Sequence, residues 1–354
     1  MSSFADAADA VSSIVESFQR PTADASASAG EQSARQQEGE PAVTRPNGEP
    51  TSPAATASAR VLIVTPAKDE AAYIQETIDS LVAQTHRPER WIIVDDRSTD
   101  GTAELAEAAA AEHDWITVLR RTGDTTRRVG PGVVDAFYDG LESVDWRSFD
   151  YVCKLDADLR IPPNYFADVL AKFASEPRLG TLSGKCYVPV QGEGEPERLV
   201  LERTGDEFSH GVAKLFRREC FEEIGGFVRE VMWDGIDCHR CRMFGWEARS
   251  DADENLRLVH LRLMGSSFRS VYHGRLRWGR GQHFMGTHPL YLLGIAAYRT
   301  FERPRGLGGV CILAGYLGQV LRRRPRYDAP GFRRHLHRWQ LSELRRRLFG
   351  RRDS

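Results

Sequence analysis

Short apolar runs alternate with longer segments of helical periodicity from residue 60 onward. The apolar runs lie at residues 61–64, 91–94, 116–119 and 151–155, and each is short enough to be a strand buried on both faces. Apolar side chains recur every three or four residues between and after them, at 69–84, 102–112, 131–144 and 163–175. Strand and helix in alternation predict an α/β fold with a mostly parallel sheet flanked by helices.

The pattern becomes mixed after about residue 180. We predict short strands at 181–188, 214–216 and 256–259 and a helix at 237–244, which complete the same domain. Two apolar helices follow at 288–301 and 306–321, and then a basic helix at 332–349. The predicted organisation is therefore a main domain at 60–288 and a helical, Arg-rich C-terminal region at 289–354.

Residues 1–59 are rich in Ala, Ser, Glu, Gln and Pro, and we predict a disordered N-terminal extension because they cannot bury enough apolar surface. The whole chain has a formal net charge of -2, which argues against a general polyanion binder. Its charge is uneven, since residues 322–354 hold twelve Arg and three acidic side chains. This tail is predicted to meet an anionic membrane surface or, alternatively, to pack on the protein with a solvated basic face. Nucleic acid is not a predicted partner, because no nucleic-acid-binding module accompanies the charge.

The six cysteines are scattered along a long chain, which argues against a disulfide framework and favours a reducing cytosol. Cys238 and Cys241 form a single C-x-x-C pair, which we interpret as core packing. Neither a signal peptide nor a stretch of about 20 apolar residues is evident. The predicted location is the cytoplasm. The basic tail extends this prediction to attachment at the inner face of the cell membrane.

Acidic side chains follow two of the predicted strands. Asp156 and Asp158 come at the end of the run at 151–155, and Asp95 and Asp96 come at the end of the run at 91–94. In open α/β sheets, ligands bind beyond the carboxyl ends of the strands. Two carboxylates there can share a hard cation such as Mg²⁺ or Mn²⁺, although each pair could instead cap the helix that follows.

Three motifs together resemble family 2 glycosyltransferases. The first is V-L-I-V-T-P-A-K-D-E at 61–70, in which Ala67 and Lys68 depart from the usual pattern; the second is I-I-V-D-D-R-S-T-D-G-T at 92–102, and the third is K-L-D-A-D at 154–158. The resemblance covers residues 60–245. It implies a GT-A fold, a nucleoside-diphosphate sugar donor, Mg²⁺ or Mn²⁺, and inversion at the anomeric carbon. The residues it implies for donor binding are Pro66, Ala67, Glu70, Asp95, Asp96, Lys154 and Asp156.

The resemblance also implies a general base at the start of a helix below the cleft. Asp234 is our candidate and Asp237 the second choice, because Trp233 replaces the family's usual Glu and leaves both open. Asp158 and Asp156 are the predicted metal ligands, and His260 would complete the metal shell. Arg280, in a basic stretch at 275–280, is predicted to contact the diphosphate from a mobile loop.

The predicted function is an inverting, metal-dependent transfer of a sugar to a saccharide or lipid-linked hydroxyl acceptor. One alternative is a sugar nucleotidyltransferase, which would carry a Gly-rich basic loop after the first strand; residues 65–70 contain no glycine. The other is a non-catalytic sugar-nucleotide-binding protein.

Overall fold

The computed structural model describes residues 58–123, 130–190, 197–202, 205–262, 271–301 and 306–349. The predicted disordered extension at 1–59 lies outside the described residues apart from its last two positions.

The described residues form eleven strands and ten α-helices. The strands are β1 Val61–Ala67, β2 Arg90–Asp95, β3 Ile116–Arg120, β4 Tyr151–Leu155, β5 Leu159–Arg160, β6 Leu179–Gly184, β7 Cys186–Val190, β8 Arg198–Leu201, β9 Ala213–Arg217, β10 Glu247–Asp251 and β11 Leu258–His260. The helices are α1 Ile74–Val82, α2 Thr102–Glu112, α3 Pro131–Glu142, α4 Tyr165–Ser175, α5 Arg218–Glu223, α6 Trp233–Met243, α7 Val271–Met285, α8 Pro289–Phe301, α9 Leu307–Leu321 and α10 Phe332–Phe349.

A seven-stranded sheet forms the centre of the fold, with the order β10-β6-β9-β4-β1-β2-β3. The pairs β4–β1, β1–β2 and β2–β3 are parallel, and so is β10–β6, whereas β9 runs antiparallel to both of its neighbours. A second sheet has the order β5-β11-β7-β8. The predicted α/β class, with a mostly parallel sheet flanked by helices, is confirmed.

The large sheet separates two hydrophobic layers, which explains the unbroken apolar runs. Val61 and Ile63 of β1 pack on one face with Ile74 of α1. Leu62 and Val64 pack on the other face among side chains of α3 and α5. Successive side chains of a strand point to opposite faces, so a strand covered on both sides must be apolar at every position.

Two of the differences between the predicted elements and the structure have a clear local cause. The strand predicted at 181–188 is divided at Lys185 into β6 and β7, which belong to different sheets. A side chain at Gly184 would place its Cβ 1.6 Å from the carbonyl oxygen of Leu256, so the chain crosses closely to another segment at this position. The helix predicted at 237–244 begins four residues earlier, at Trp233, after Met232 in the left-handed region at φ 74°.

The basic stretch at 275–280 was predicted as a mobile loop, and this prediction is wrong: it lies inside α7. Close packing against α9 explains the helix. A Cβ at Gly279 would lie 2.0 Å from the carbonyl oxygen of Ile312, and one at Gly315 would lie 2.1 Å from that of Leu276. Within the described residues, none of the helices has the length and apolar character needed to cross a membrane.

Candidate active site

The parallel strands β2, β1 and β4 end at the same edge of the large sheet, and β1 separates from its neighbour β4 there. β1 pairs with β2 as far as Ala67 opposite Asp95, but with β4 only as far as Val64 opposite Lys154. Pro66 lies just beyond that last pair with β4. Proline has no backbone N–H to donate, so it is suited to a position where strand pairing on one side has ended.

Hydrogen bonds connect the loops that follow β1 and β2. The Asp69 N–H donates to Ser98 Oγ at 2.9 Å, and the Thr99 N–H donates to Asp69 Oδ1 at 2.9 Å. The buried Glu70 donates its N–H to Thr102 Oγ1 at 2.7 Å. Lys68 Nζ donates to the carbonyl oxygen of Asp96 at 3.1 Å. The first two resemblance motifs are therefore held as one unit at the edge of the sheet.

Asp95 and Asp96 have different roles in this unit. Asp95 is buried and accepts a hydrogen bond from the Ser98 N–H at 3.2 Å, so it shapes the loop. Asp96 forms ion pairs with Arg97 and, at 2.7 Å, with Arg121. Sequence reasoning missed Arg121, although it follows β3 directly and β3 ends at the same edge of the sheet as β2.

Lys154 connects the acidic motif after β4 to the segment before β9. Its Nζ forms an ion pair with Asp156 and donates to the carbonyl oxygen of Gly211 at 2.7 Å. The Asp156 N–H donates to the carbonyl oxygen of Val212 at 2.7 Å. Burial raises the pKa of Asp156, and the nearby ammonium of Lys154 opposes that rise.

Asp158 is buried and contacts two cationic groups. Its Oδ2 lies 3.2 Å from His260 Nε2 and 2.6 Å from Arg262 Nε, and the same guanidinium reaches Glu70 Oε1 at 2.6 Å. The pairing of His260 opposite Leu159 places β11 beside the motif. Arg262 lies in the bend that follows β11, two positions after His260, and reaches the same carboxylate. The sequence analysis omitted Arg262.

These contacts determine the protonation of the pair. Burial would raise the pKa of Asp158, but hydrogen bonding to His260 and the charges of His260, Arg262 and Lys154 hold it below its usual range. Burial would lower the pKa of His260, but the carboxylates of Asp158 and Glu202 raise it to about 10. The arrangement therefore favours the carboxylate form of Asp158 and the protonated form of His260.

The two candidate bases lie in different surroundings within the first turns of α6. Asp237 is buried and forms an ion pair with Lys214, whose side chain is fully buried as well. Asp234 is only partly buried, and a Cβ at Gly211 would lie 3.2 Å from its Oδ2. Gly211 also accepts the hydrogen bond from Lys154. Asp234, unlike Asp237, is therefore partly exposed, and it lies beside Gly211, whose carbonyl oxygen accepts the hydrogen bond from Lys154.

Arg280 is exposed on α7. The next residue, Gly281, packs against the turn before α6, since a Cβ there would lie 2.4 Å from Met232 Cγ. The part of α7 that carries Arg280 therefore packs against the segment that precedes Asp234. His210, before β9, is buried and donates its N–H to Ser183 Oγ at 2.7 Å. Burial, with Lys185 and Lys214 nearby, lowers the pKa of His210 to about 3, so this imidazole is neutral.

Only two of the three predicted metal ligands are in contact with each other. Asp158 and His260 are in contact, and a carboxylate and an imidazole are suitable donors for Mn²⁺ or Mg²⁺. Asp156 is paired with Lys154, and Arg262 lies on the Asp158 oxygen that faces His260. Among the described residues, no group of three His, Cys, Asp or Glu side chains is arranged to hold a metal ion. The donor types fit a divalent cation, but Arg262 must leave Asp158 and His260 must lose its proton before both can bind one.

Comparison with known proteins identifies the class of enzyme to which this fold and site belong. Residues 62–225 match the family model described as glycosyl transferase family 2. The predicted family is confirmed for this segment: residues 62–225, which include the three motifs apart from Val61, match the family 2 glycosyltransferases.

Among the curated relatives, the poly-beta-1,6-N-acetyl-D-glucosamine synthase of Staphylococcus aureus (strain COL) is 28% identical over 276 residues, which are 71% of this chain and 62% of that protein. The synthase of the same name from Staphylococcus epidermidis is 21% identical over 230 residues, which are 61% of this chain and 52% of that protein. The chain thus spans between about half and three fifths of the length of these relatives.

A solved structure similar to this chain is the mannosyltransferase PcManGT from Pyrobaculum calidifontis in complex with GDP-Man and Mn²⁺. The sequence identity is 19% and the TM-score is 0.48, and the alignment covers 83% of this chain and 89% of that one.

Proposed function

We propose that this glycosyltransferase moves a sugar from a nucleoside-diphosphate sugar to a hydroxyl acceptor with inversion, in the synthesis of a polysaccharide or glycolipid. The family match and the names of the relatives, which are synthases of a polymer of N-acetylglucosamine, support this class of reaction. The proposal depends on the position of Asp234, whose partly exposed carboxylate lies beside Gly211. The carbonyl oxygen of Gly211 accepts a hydrogen bond from Lys154, which also pairs with Asp156.

Donor binding is assigned to the edge formed by β2, β1 and β4. Asp95, Pro66 and Ala67 shape this edge, and Asp96 with Arg121 offers charged groups to the nucleoside. Glu70 and Lys154 position the groups that contact the sugar diphosphate. Arg280, exposed on α7, is placed to approach the diphosphate from the side of α6.

A divalent metal ion, Mg²⁺ or Mn²⁺, is part of the proposal. Asp158 and His260, with Asp156 nearby, would hold it. When bound, the cation would neutralise negative charge on the leaving nucleoside diphosphate. The contact between Asp158 and His260 supports this assignment.

Asp234 acts as the general base in this proposal. Its carboxylate takes the proton of the acceptor hydroxyl as the oxygen bonds to the anomeric carbon and the nucleoside diphosphate leaves from the opposite face. Asp237 is unsuited to this task because Lys214 pairs with it inside the protein. Lys214 also donates to the carbonyl oxygen of Asp234 at 2.8 Å, so the buried pair holds the turn that carries the base.

Asp234→Asn tests the proposal. We expect loss of transfer by at least about a hundredfold, the lower range for general-base catalysis, with donor binding nearly unchanged. Radiolabelled sugar incorporation would measure transfer, and isothermal titration with nucleoside-diphosphate sugars would measure binding. Asp168→Asn, a carboxylate in the first turn of α4, is the matched control and should keep both activities. Equal loss of transfer and binding in Asp234→Asn would refute the base role, and binding without transfer in the unmodified protein would favour the non-catalytic alternative.

The place of action is proposed to be the cytoplasm, at the inner face of the cell membrane. All six cysteines have free thiols in the structure, which suits a reducing compartment. The acceptor is proposed to be a growing saccharide or a lipid-linked saccharide.

A further inference from the structure

Two neighbouring C-terminal helices expose large apolar side chains to an unusual degree. Leu290 and Leu293 on α8 are 56% and 55% exposed. On α9, the exposed fractions are 55% for Leu307, 57% for Val310, 55% for Leu317 and 83% for Leu321. Among the described large apolar side chains, those more than half exposed all lie on these two helices.

The exposed residues of α9 form one stripe. Leu307, Val310, Leu317 and Leu321 follow helical spacing, and the exposed Ala314 lies between them. Other positions of α9 face inward through glycines: Gly315 packs on α7, and a Cβ at Gly309 would lie 2.1 Å from the carbonyl oxygen of Ala296 in α8. α9 is therefore already packed on α7 and α8, and the side of α9 that carries the stripe remains exposed and apolar. A concentrated exposed apolar surface of this kind is typical of a binding surface.

The sequence that contains this stripe is almost entirely positive in charge. Residues 271–328 contain ten arginines and two acidic residues, Glu302 and Asp328. Arg322, Arg323 and Arg324 follow α9 immediately, and all three are exposed. An apolar helix face with arginines at its end, and almost without acidic side chains, complements an anionic lipid surface more closely than it complements a second copy of itself.

The predicted membrane helix has a different role. α10 is basic, as the sequence indicated, but its Phe332 and Leu336 are fully buried against Ile236 of α6 and Met285 of α7. Arg347 of the same helix forms ion pairs with Glu207 and Glu343. The apolar side of α10 is thus used inside the protein, whereas that of α8 and α9 is not.

We propose that the exposed apolar side chains of α8 and α9, together with Arg322, Arg323 and Arg324, form a docking surface for an anionic lipid bilayer. The helices lie in the plane of the membrane, with the leucines and valine in the interface and the guanidinium groups against lipid phosphates. The inference is independent of sugar transfer. It would place the glycosyltransferase domain beside acceptors carried on lipid.

Flotation of the full chain with vesicles tests the proposal. Vesicles of phosphatidylcholine alone are compared with equimolar phosphatidylcholine and phosphatidylglycerol. Val310→Gln with Leu317→Gln removes apolar area, and Val82→Gln on α1 is its control at another exposed valine. The triple change of Arg322, Arg323 and Arg324 to Gln removes charge. The same change at the exposed Arg333, Arg334 and Arg338 of α10 is the control with equal loss of net charge.

We expect the unmodified chain to float with anionic vesicles and not with phosphatidylcholine. The triple change after α9 should weaken binding on the order of a hundredfold, since each arginine at an anionic surface strengthens binding roughly fivefold. The double change on α9 should also weaken it, whereas both controls and Asp234→Asn should bind nearly as the unmodified chain does. All substituted side chains are exposed, and melting curves confirm that the variants fold.

Failure to float with either vesicle would overturn the proposal, as would equal effects of the two triple changes. Sedimentation velocity decides between a bilayer and a second copy. A dimer that dissociates on the double change in α9, without any loss of vesicle binding, would assign the face to self-association.

Discussion

Asp158 is proposed as a metal ligand, but in the structure its carboxylate is already paired with cationic side chains. His260 and Arg262 both contact one of its oxygens, and Arg262 also pairs with Glu70. A guanidinium and a divalent cation cannot share that oxygen without strong repulsion at such short range. The positive charge of Arg262 thus stabilises the buried carboxylate of Asp158 and opposes the entry of a metal ion.

Arg262→Gln is therefore expected to bind Mn²⁺ several-fold more tightly than the unmodified protein, because the competing charge is removed from Asp158. Electron paramagnetic resonance of free Mn²⁺ measures the binding without any assay of transfer. Arg160→Gln is the matched control, since Arg160 lies two residues from Asp158 but pairs with Glu76 and Glu197. Weaker Mn²⁺ binding in Arg262→Gln would show that this guanidinium supports the site and does not block it.

At the scale of elements, α9 is held in place by close contact between backbones. Gly315 and Gly309 allow it to approach α7 and α8 to distances at which a side chain would collide with a carbonyl oxygen. Such contact explains why the glycine-rich and arginine-rich segments from residue 271 onward are helical, although glycine lowers helix propensity. The helices stabilise one another through packing.

Gly315→Ala should destabilise the protein by about 1–3 kcal/mol, because its Cβ would lie 2.1 Å from the carbonyl oxygen of Leu276 and would force α7 and α9 apart. Gly318→Ala, one turn away on the same helix, meets no atom within 4 Å. It should stabilise the protein by about 0.5–1 kcal/mol through helix propensity alone. Midpoints of urea unfolding measure both changes. Equal stabilisation by the two alanines would contradict the close packing of α9.

At the scale of the whole molecule, the C-terminal helices are joined to the glycosyltransferase domain through α6. Phe332 and Leu336 of α10 share a hydrophobic cluster with Ile236 of α6, the helix that carries Asp234. The ring of Trp339 also packs edge-on against His239 of α6, with 4.8 Å between the ring centroids. We therefore propose that the predicted domain at 60–288 and the predicted region at 289–354 unfold together.

Phe332→Ala should lower stability by about 3–5 kcal/mol, the usual range for truncation of a buried phenylalanine. It should shift one unfolding transition of the whole chain, because the cluster spans both regions. Differential scanning calorimetry and near-ultraviolet circular dichroism follow that transition. Leu341→Ala, at a leucine of α10 that is 39% exposed, is the control and should change stability by less than about 0.5 kcal/mol. Two separate transitions, with only one of them shifted, would instead show that the regions are independent.

The sequence by itself determined the class of fold and the family resemblance, and it predicted the edge of the sheet for the site. Apolar periodicity is a local property, and a parallel sheet brings its carboxyl ends to one edge, so Asp96 and Asp158 could be assigned to the same edge. The tertiary structure alone decided which groups meet there. His260 contacts Asp158 across 102 positions of the chain. Lys214 pairs with Asp237 inside the protein, whereas Asp234 remains partly exposed. Such pairings depend on burial and packing between distant segments, which local periodicity does not encode.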